Sequence, residues 1–418
     1  MNDSTGVFPT NDPAGRFYQR SDDLPILLVH APERGRRLLA KLRGRRPLFV
    51  CTVAHTETAE IDGLSGAGAT AELRRLTAAA DIEALEHGRP LCMDGVPSNP
   101  GGAPGPVIIT LAGLRMAGLE TLAIDAGLRV KPQAKTLDVA DRWGDSIVTG
   151  RAVPHAADLF ARGLALAPTL TARADALMLA ESVPGGTTTA LALLCGLGVP
   201  AWGMVSSSMP ENAHPLKERV VTTALAAAGL PAPGELDGSA RGLALSHLVE
   251  HEQRSAQGRS QHLSALEIAA AIGDPMQPFV AGLALGAVPT TPVLLAGGSQ
   301  MAAVLALIVA LARERGQTLD LDNLGIATTG WVARDPTANL AGLVAQIAEV
   351  PVLASDLDFS VSKYPPLRRY EQFLVKEGVG AGAAAVVAAL LTDADHDRLL
   401  AAVEHVYEQI YGLDDALS

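Results

Sequence analysis

The sequence predicts an α/β fold: a mostly parallel sheet with helices on both faces (Rossmann-like), plus a smaller helical region from the N- and C-terminal parts. Three observations carry this reading. Short apolar runs alternate with helical patterns from Thr121 to Ala354, the rhythm of strand–helix–strand units. Forty-one glycines and 27 prolines punctuate the 418 residues, as many short elements require. With 48% hydrophobic but only 4% aromatic residues, the core must be built from Ala, Leu and Val, and parallel strands buried on both faces use such residues.

Taken in order, Met1 to Gly15 is polar and has no apolar signal core. Leu24–Val29 and Pro47–Val53 read as short buried strands. Between them runs a basic amphipathic helix, and Arg34 to Arg46 reads as its solvated face. Leu73–His87 is helical. The insert Val96–Pro106 is too rich in proline and glycine to join either neighbour, so it is an active-site wall or lid, or an inert linker. Val107–Ala112 fits a strand or the start of a helix. Further strands are expected at Thr121–Ile124, Ala176–Ala180, Ala201–Val205, Pro292–Ala296, Leu324–Ala327 and Val352–Ala354. Helices are expected at Pro215–Ala228, Ala265–Ile272 and Met301–Arg315. The apolar stretch Ala281–Ala312 is cut by Pro289, Pro292, Gly297 and Gly298, so it reads as a buried strand, a turn and a helix and not as a membrane span. Leu367–Ala416 is helical with a break at Gly378. The expected division is residues 1–110, 111–360 and 361–418.

Charge and cysteine usage narrow the function class. A net charge of −12 without a basic cluster interleaved with aromatics argues against nucleic-acid binding. Cys51, Cys92 and Cys195 lie far apart without metal-type spacing, which fits a reducing, cytoplasmic setting. His247 and His251, with Glu250, match a two-histidine metal pattern on a helix, but no third ligand is evident and the flanking sequence is polar. The expectation is therefore no metal.

Two loops carry most of the chemistry. Glu181-Ser-Val-Pro-Gly-Gly-Thr-Thr-Thr-Ala190 lies between an apolar run and an Ala/Leu run, which reads as strand, glycine turn and helix start. Gly185 and Gly186 let backbone approach a ligand, and Thr187 and Thr188 set hydroxyls beside free N–H groups at a helix start, which favours a phosphate. A Walker-type lysine is absent. A carboxylate at Glu181 suggests ribose hydroxyls beside the phosphate; the plainer reading is a tight turn with a Thr-capped helix. Leu295-Ala-Gly-Gly-Ser-Gln-Met301 repeats this logic with Gly297, Gly298 and Ser299, so the two loops suggest halves of one pocket for a phosphorylated sugar. Lys217 opens another helix and could reach a phosphate, although alone it reads as a solvated residue. Glu377 precedes Gly378, Gly380 and Gly382 and then a strongly apolar helix, a setting that raises a carboxyl pKa towards useful base strength, or else a surface Glu at a helix start.

Together these segments resemble the nicotinate-nucleotide:dimethylbenzimidazole phosphoribosyltransferases, in their longer, divergent branch. The loop at Glu181–Ala190 looks like that family's phosphate loop, Lys217 with Arg219-Val-Val221 like its lysine helix, Gly297-Gly-Ser-Gln300 like its second glycine loop, and Glu377–Ala384 like the motif holding its general base. Ile61–Gly68 resembles the segment whose serine, here Ser65, borders the aromatic base together with Gly378. The resemblance spans about residues 50 to 390. It implies transfer of 5-phosphoribosyl from nicotinate mononucleotide to a nitrogen of an aromatic base such as dimethylbenzimidazole, without cofactor, by a homodimer. Glu377 and Glu181 would be catalytic, with Gly185, Gly186, Thr187, Thr188, Lys217, Gly297, Gly298 and Ser299 holding phosphate and ribose. Gly66-Ala-Gly68 replaces bulkier residues usual after the serine, which leaves the acceptor base open. Alternatives are a related transferase or nucleotide hydrolase acting on another base, and a non-catalytic nucleotide-binding regulator.

Overall fold

The computed structural model describes residues 10–11, 17–21, 24–209, 211–231 and 263–413. Among these residues one ten-stranded sheet runs in the order β1 (Thr10–Asn11), β2 (Phe17–Arg20), β3 (Ile26–His30), β10 (Val352–Ser355), β9 (Leu324–Thr329), β8 (Val293–Ala296), β7 (Ala176–Ser182), β4 (Pro47–Val53), β5 (Thr121–Asp125) and β6 (Leu137–Asp138). Every pairing from β10 to β6 is parallel, and β1, β2 and β3 form an antiparallel edge.

Strand alternation feeds two cores. Leu177 and Leu179 of β7 join Val293 and Leu295 of β8 in one cluster, with helices Ala156–Thr171 and Met276–Ala287. Met178 and Ala180 join Leu294 and Ala296 in the other, with helices Val107–Ala117 and Ala381–Thr392. This two-faced covering is the α/β layering expected from the sequence.

Of the two states open for Val107–Ala112, the structure has the helix, Val107–Ala117. Ala201–Val205, expected as a strand, forms turns, because β7 is already paired by β4 on one side and β8 on the other. The apolar stretch from Ala281 begins with the second half of the helix Met276–Ala287, ahead of the expected strand, turn and helix. A buried apolar run carries no periodicity that separates the two states. The two-histidine pattern at His247 and His251, from which no metal site is expected, lies outside the described residues. No helix among the described residues is long and apolar enough to cross a membrane.

Candidate active site

Sheet order reverses between β4 and β7: later strands run outward from β7 through β8 and β9, whereas β5 and β6 extend from β4. A ligand crevice belongs beyond the carboxyl ends at such a switch point. A cavity with about 990 Å³ of empty space, open to solvent, lies there. Its lining includes Ser65, Glu181, Gly185, Gly186, Thr187, Gly298, Ser299, Glu377 and Gly378, so the structure brings nine of the expected site residues together. Thr188, Lys217 and Gly297 stand behind them.

The loop after β7 turns at Gly185, whose φ of 78° is costly for residues with a Cβ, and enters the helix Gly186–Gly196. Ser65 Oγ accepts from the Gly185 N–H at 3.2 Å, tying the segment after β4 to this loop. After β8 the chain enters the helix Ser299–Glu314. Both helices begin at the cavity, and their positive dipole ends favour an anion there, while the Gly186 and Thr188 N–H groups donate to the Val183 and Gly185 carbonyls. The Gly186 site differs from the sequence reading. A Cβ there would stand 1.6 Å from Nε2 of Gln300, so this glycine makes room for the Gln300 side chain.

Cations approach from the same end. Lys217 is fully buried on the helix His214–Ala227; its Nζ donates to the Ser206 carbonyl at 2.9 Å and to Asn212 Oδ1 at 3.0 Å. Burial, and then the charge of Lys376, lower its pKa to about 7. Lys376 lines the cavity and pairs with Asp335 at 2.7 Å. Asp335 also accepts from Ser206 Oγ at 2.6 Å, and the Ser206 N–H donates to Ser299 Oγ at 2.8 Å. Ser206, Ser207 and Ser208 thus form a hydroxyl-rich wall held from behind by two lysines and one carboxylate.

Two carboxyls face each other across the cavity floor. Glu181 is the penultimate residue of β7; its Oε2 accepts from the Val183 N–H at 2.9 Å and from Gln300 at 3.4 Å. Burial, and then the charge of Asp274, push its pKa up to about 8. Glu377 is partly exposed to the cavity. Thr328 Oγ1 donates to its Oε2 at 3.0 Å, and the N–H groups of Gly378 and Gly382 donate to Oε1 at 3.1 and 3.2 Å. Burial raises its pKa to about 7 against these hydrogen bonds, which lower it. At that value a carboxyl exchanges protons readily near neutral pH.

The loop holding Glu377 is locally strained. Val379 has φ 54°, a left-handed conformation that a β-branched residue rarely adopts. It is held from both sides: its N–H donates to the Glu181 carbonyl at 2.9 Å, and Thr110 Oγ1 donates to its carbonyl at 3.0 Å. Gly382 then lets the next helix lie on β9, since a Cβ there would stand 1.8 Å from the Thr328 carbonyl carbon. Strain maintained this way concentrates at functional sites.

The Val96–Pro106 insert forms a wall of the cavity through Pro97, Ser98, Asn99, Gly105 and Pro106. Asn99 fixes it: its Nδ2 donates to the Leu374 carbonyl at 2.7 Å, and its Oδ1 accepts from the Ala103 N–H at 3.1 Å. Sequence reasoning assigned no role to Asp81, Ser206, Ser207, Thr328, Asp335 or Lys376. Two signals could have found some of them: Lys376 directly precedes Glu377, and three consecutive serines end the apolar run at Val205.

No family model matches the chain. It is 44% identical over 385 residues to a UPF0284 protein of Gloeobacter violaceus, covering 91% of this chain and 92% of the relative. It is 39% identical over 349 residues to one from Methanothermobacter thermautotrophicus, covering 83% and 88%. Among solved structures, it is similar to a nicotinate-nucleotide-dimethylbenzimidazole phosphoribosyltransferase from Thermus thermophilus, with a TM-score of 0.50, 17% identity and 91% of each chain covered. A structure of CobT from the same organism gives a TM-score of 0.51 at 17% identity, covering 91% of this chain and 92% of that one. That likeness establishes a shared α/β fold, and the sequence relatives establish membership: the chain belongs to the UPF0284 family.

Proposed function

We propose that the chain is a phosphoribosyltransferase that moves 5-phosphoribosyl from nicotinate mononucleotide to a ring nitrogen of an aromatic base and releases nicotinate. The observation that carries this reading is Glu377, a carboxyl raised to about 7 beside a cavity into which two helix N-termini open. The phosphate rests on the Gly185–Thr187 turn and the Ser206–Ser208 wall, with Lys376 and Lys217 supplying positive charge. Ribose lies by Glu181, and the acceptor lies between Glu377 and the Val96–Pro106 wall.

In the reaction the bond from the anomeric carbon to the pyridinium nitrogen breaks, and its electron pair leaves with nicotinate. Positive charge grows on the sugar beside Glu181, which stabilises it in its ionised form; with a pKa of about 8 that form is the minor one at neutral pH and gains as pH rises. The acceptor nitrogen forms the new bond and its ring proton passes to Glu377. Holding both reactants in one cavity contributes through proximity.

One of the similar solved structures carries the name of this chemistry, and the matching fold is consistent with the same reaction here. The test is nicotinate release by the purified chain, followed chromatographically with and without a panel of aromatic bases. Base-dependent release is expected; a chain that leaves nicotinate mononucleotide intact with every base would overturn the reading.

A further inference from the structure

Asp81 lines the same cavity but has no part in the transfer derived above. It sits on the helix Ala71–His87, one turn beyond Thr77, which also faces the cavity. The residue is only 3% exposed. Ser182 Oγ donates to Oδ2 at 2.7 Å, whereas Oδ1 is buried with no hydrogen-bond partner among the described residues. A buried acceptor left unsatisfied is costly, and a ligand donor can remove that cost.

The surroundings decide which part of a ligand this oxygen meets. Its electrostatic neighbours are Cys51, Cys92 and Tyr370, whose own titrations it raises. Tyr370 donates its hydroxyl to the Pro104 carbonyl at 2.8 Å, so Asp81 belongs to the end of the cavity walled by the Val96–Pro106 insert. Lys217 is shifted by Lys376 and Asp335, and Lys376 by Asp335; Asp81 is not among the charges that shift either lysine, and neither lysine is among the causes that shift Asp81. A carboxylate without a cation beside it repels phosphate, which leaves a donor-bearing group, and the place of Asp81 beside the Val96–Pro106 wall, where the acceptor lies, makes that group the base and not the ribose.

We infer that Asp81 selects the acceptor, and that the cavity takes a heteroaromatic base carrying a hydrogen-bond donor, an exocyclic amino group whose N–H reaches Asp81 Oδ1. The inference rests on the transferase reading for the identity of that base as an acceptor, but the donor requirement itself is a property of the cavity. Burial pushes the carboxyl up to about 7, with the Ser182 hydroxyl pulling it back, and an N–H donor favours the ionised form. A ring without the donor leaves Oδ1 unsatisfied, and sites built around such a group discriminate strongly.

The test uses the full chain with matched pairs: purine against 6-aminopurine, and benzimidazole against its 4- and 5-amino derivatives. Equilibrium binding is measured by calorimetry in the presence of nicotinate mononucleotide, and kcat/KM is measured for each pair. In the wild type, at least one amino-bearing base should bind roughly tenfold to a hundredfold more tightly than its parent ring. Asp81→Leu, similar in size but without the acceptor, should bring that ratio close to one by strengthening the parent ring. Asp81→Asn, which keeps an acceptor oxygen and preserves the Ser182 contact, should retain part of the preference and serves if the leucine variant does not fold. Equal binding of amino-bearing and parent rings by the wild type would overturn the inference, as would a preference unchanged in both variants. A binding preference without any nicotinate release would support the inference while overturning the transferase reading.

Discussion

Replacing Glu377 by Gln should separate catalysis from stability. The amide keeps the side chain's size, and its oxygen can still accept from the Gly378 and Gly382 N–H groups that now reach Oε1 at 3.1 and 3.2 Å. Its nitrogen can donate to Thr328 Oγ1, 3.0 Å from the present Oε2, if that hydroxyl rotates. The Thr329 N–H also reaches this carboxyl and must share the remaining oxygen. The acceptor's proton, however, has nowhere to go, and losing such a transfer typically lowers kcat about 10²–10⁴-fold. Stability moves the other way. A carboxyl raised from 4.5 to about 7 binds its proton more tightly when folded. Its penalty is therefore absent below pH 4.5, grows as pH rises towards 7 and stays constant above. That penalty is at most ~3 kcal/mol, and less because the carboxyl touches solvent in the cavity. Glu377→Gln should melt with the wild type at pH 5 and above it at pH 8. The assay pairs kcat with thermal melting on one preparation at both pH values. A folded variant with near wild-type turnover would refute the base assignment, and a variant less stable than wild type at pH 8 would refute the electrostatic account.

Lys217→Ala should weaken nicotinate mononucleotide binding by about one to two orders of magnitude, measured by calorimetry. Because its pKa stands at about 7, a bound phosphate must draw a proton onto it at higher pH. Wild-type affinity should therefore fall from pH 7 to pH 9 and the variant's should fall less; unchanged affinity would remove Lys217 from the subsite. Two glycine substitutions should differ sharply. Gly382→Ala meets the Thr328 backbone and should cost about 2 kcal/mol or more. Gly186→Ala meets only the Gln300 amide, so it should melt near wild type while losing turnover, because Gln300 must leave Glu181. Comparable melting losses in both would contradict the packing described at these positions.

Much of the site was legible because strand, glycine turn and helix start are local signals. Glu181 to Thr188 and Gly297 to Ser299 therefore appear where the sequence suggests, on one edge of the sheet. The Glu377 loop was readable from its glycines, but its strain was not, since Val379 is forced left-handed by contacts with Glu181 and Thr110, both far away in sequence. Asp81 looks like an ordinary solvated helix residue; only tertiary packing removes it from water. The lysines were hidden for the same reason. Lys217 alone reads as a surface side chain, yet it is fully buried behind Ser206, and Lys376 depends on Asp335, 41 residues earlier. Ala201–Val205 has strand composition but no free sheet edge to join.

The central claim is that the phosphoribosyl group passes to a base nitrogen and not to water. The most direct measurement is mass spectrometry of the products formed from nicotinate mononucleotide and an amino-bearing aromatic base in ¹⁸O-enriched water. The account predicts nicotinate and a phosphoribosylated base in equal amounts, with no heavy oxygen in the sugar. Ribose 5-phosphate carrying ¹⁸O, formed at the same rate with or without the base, would contradict it.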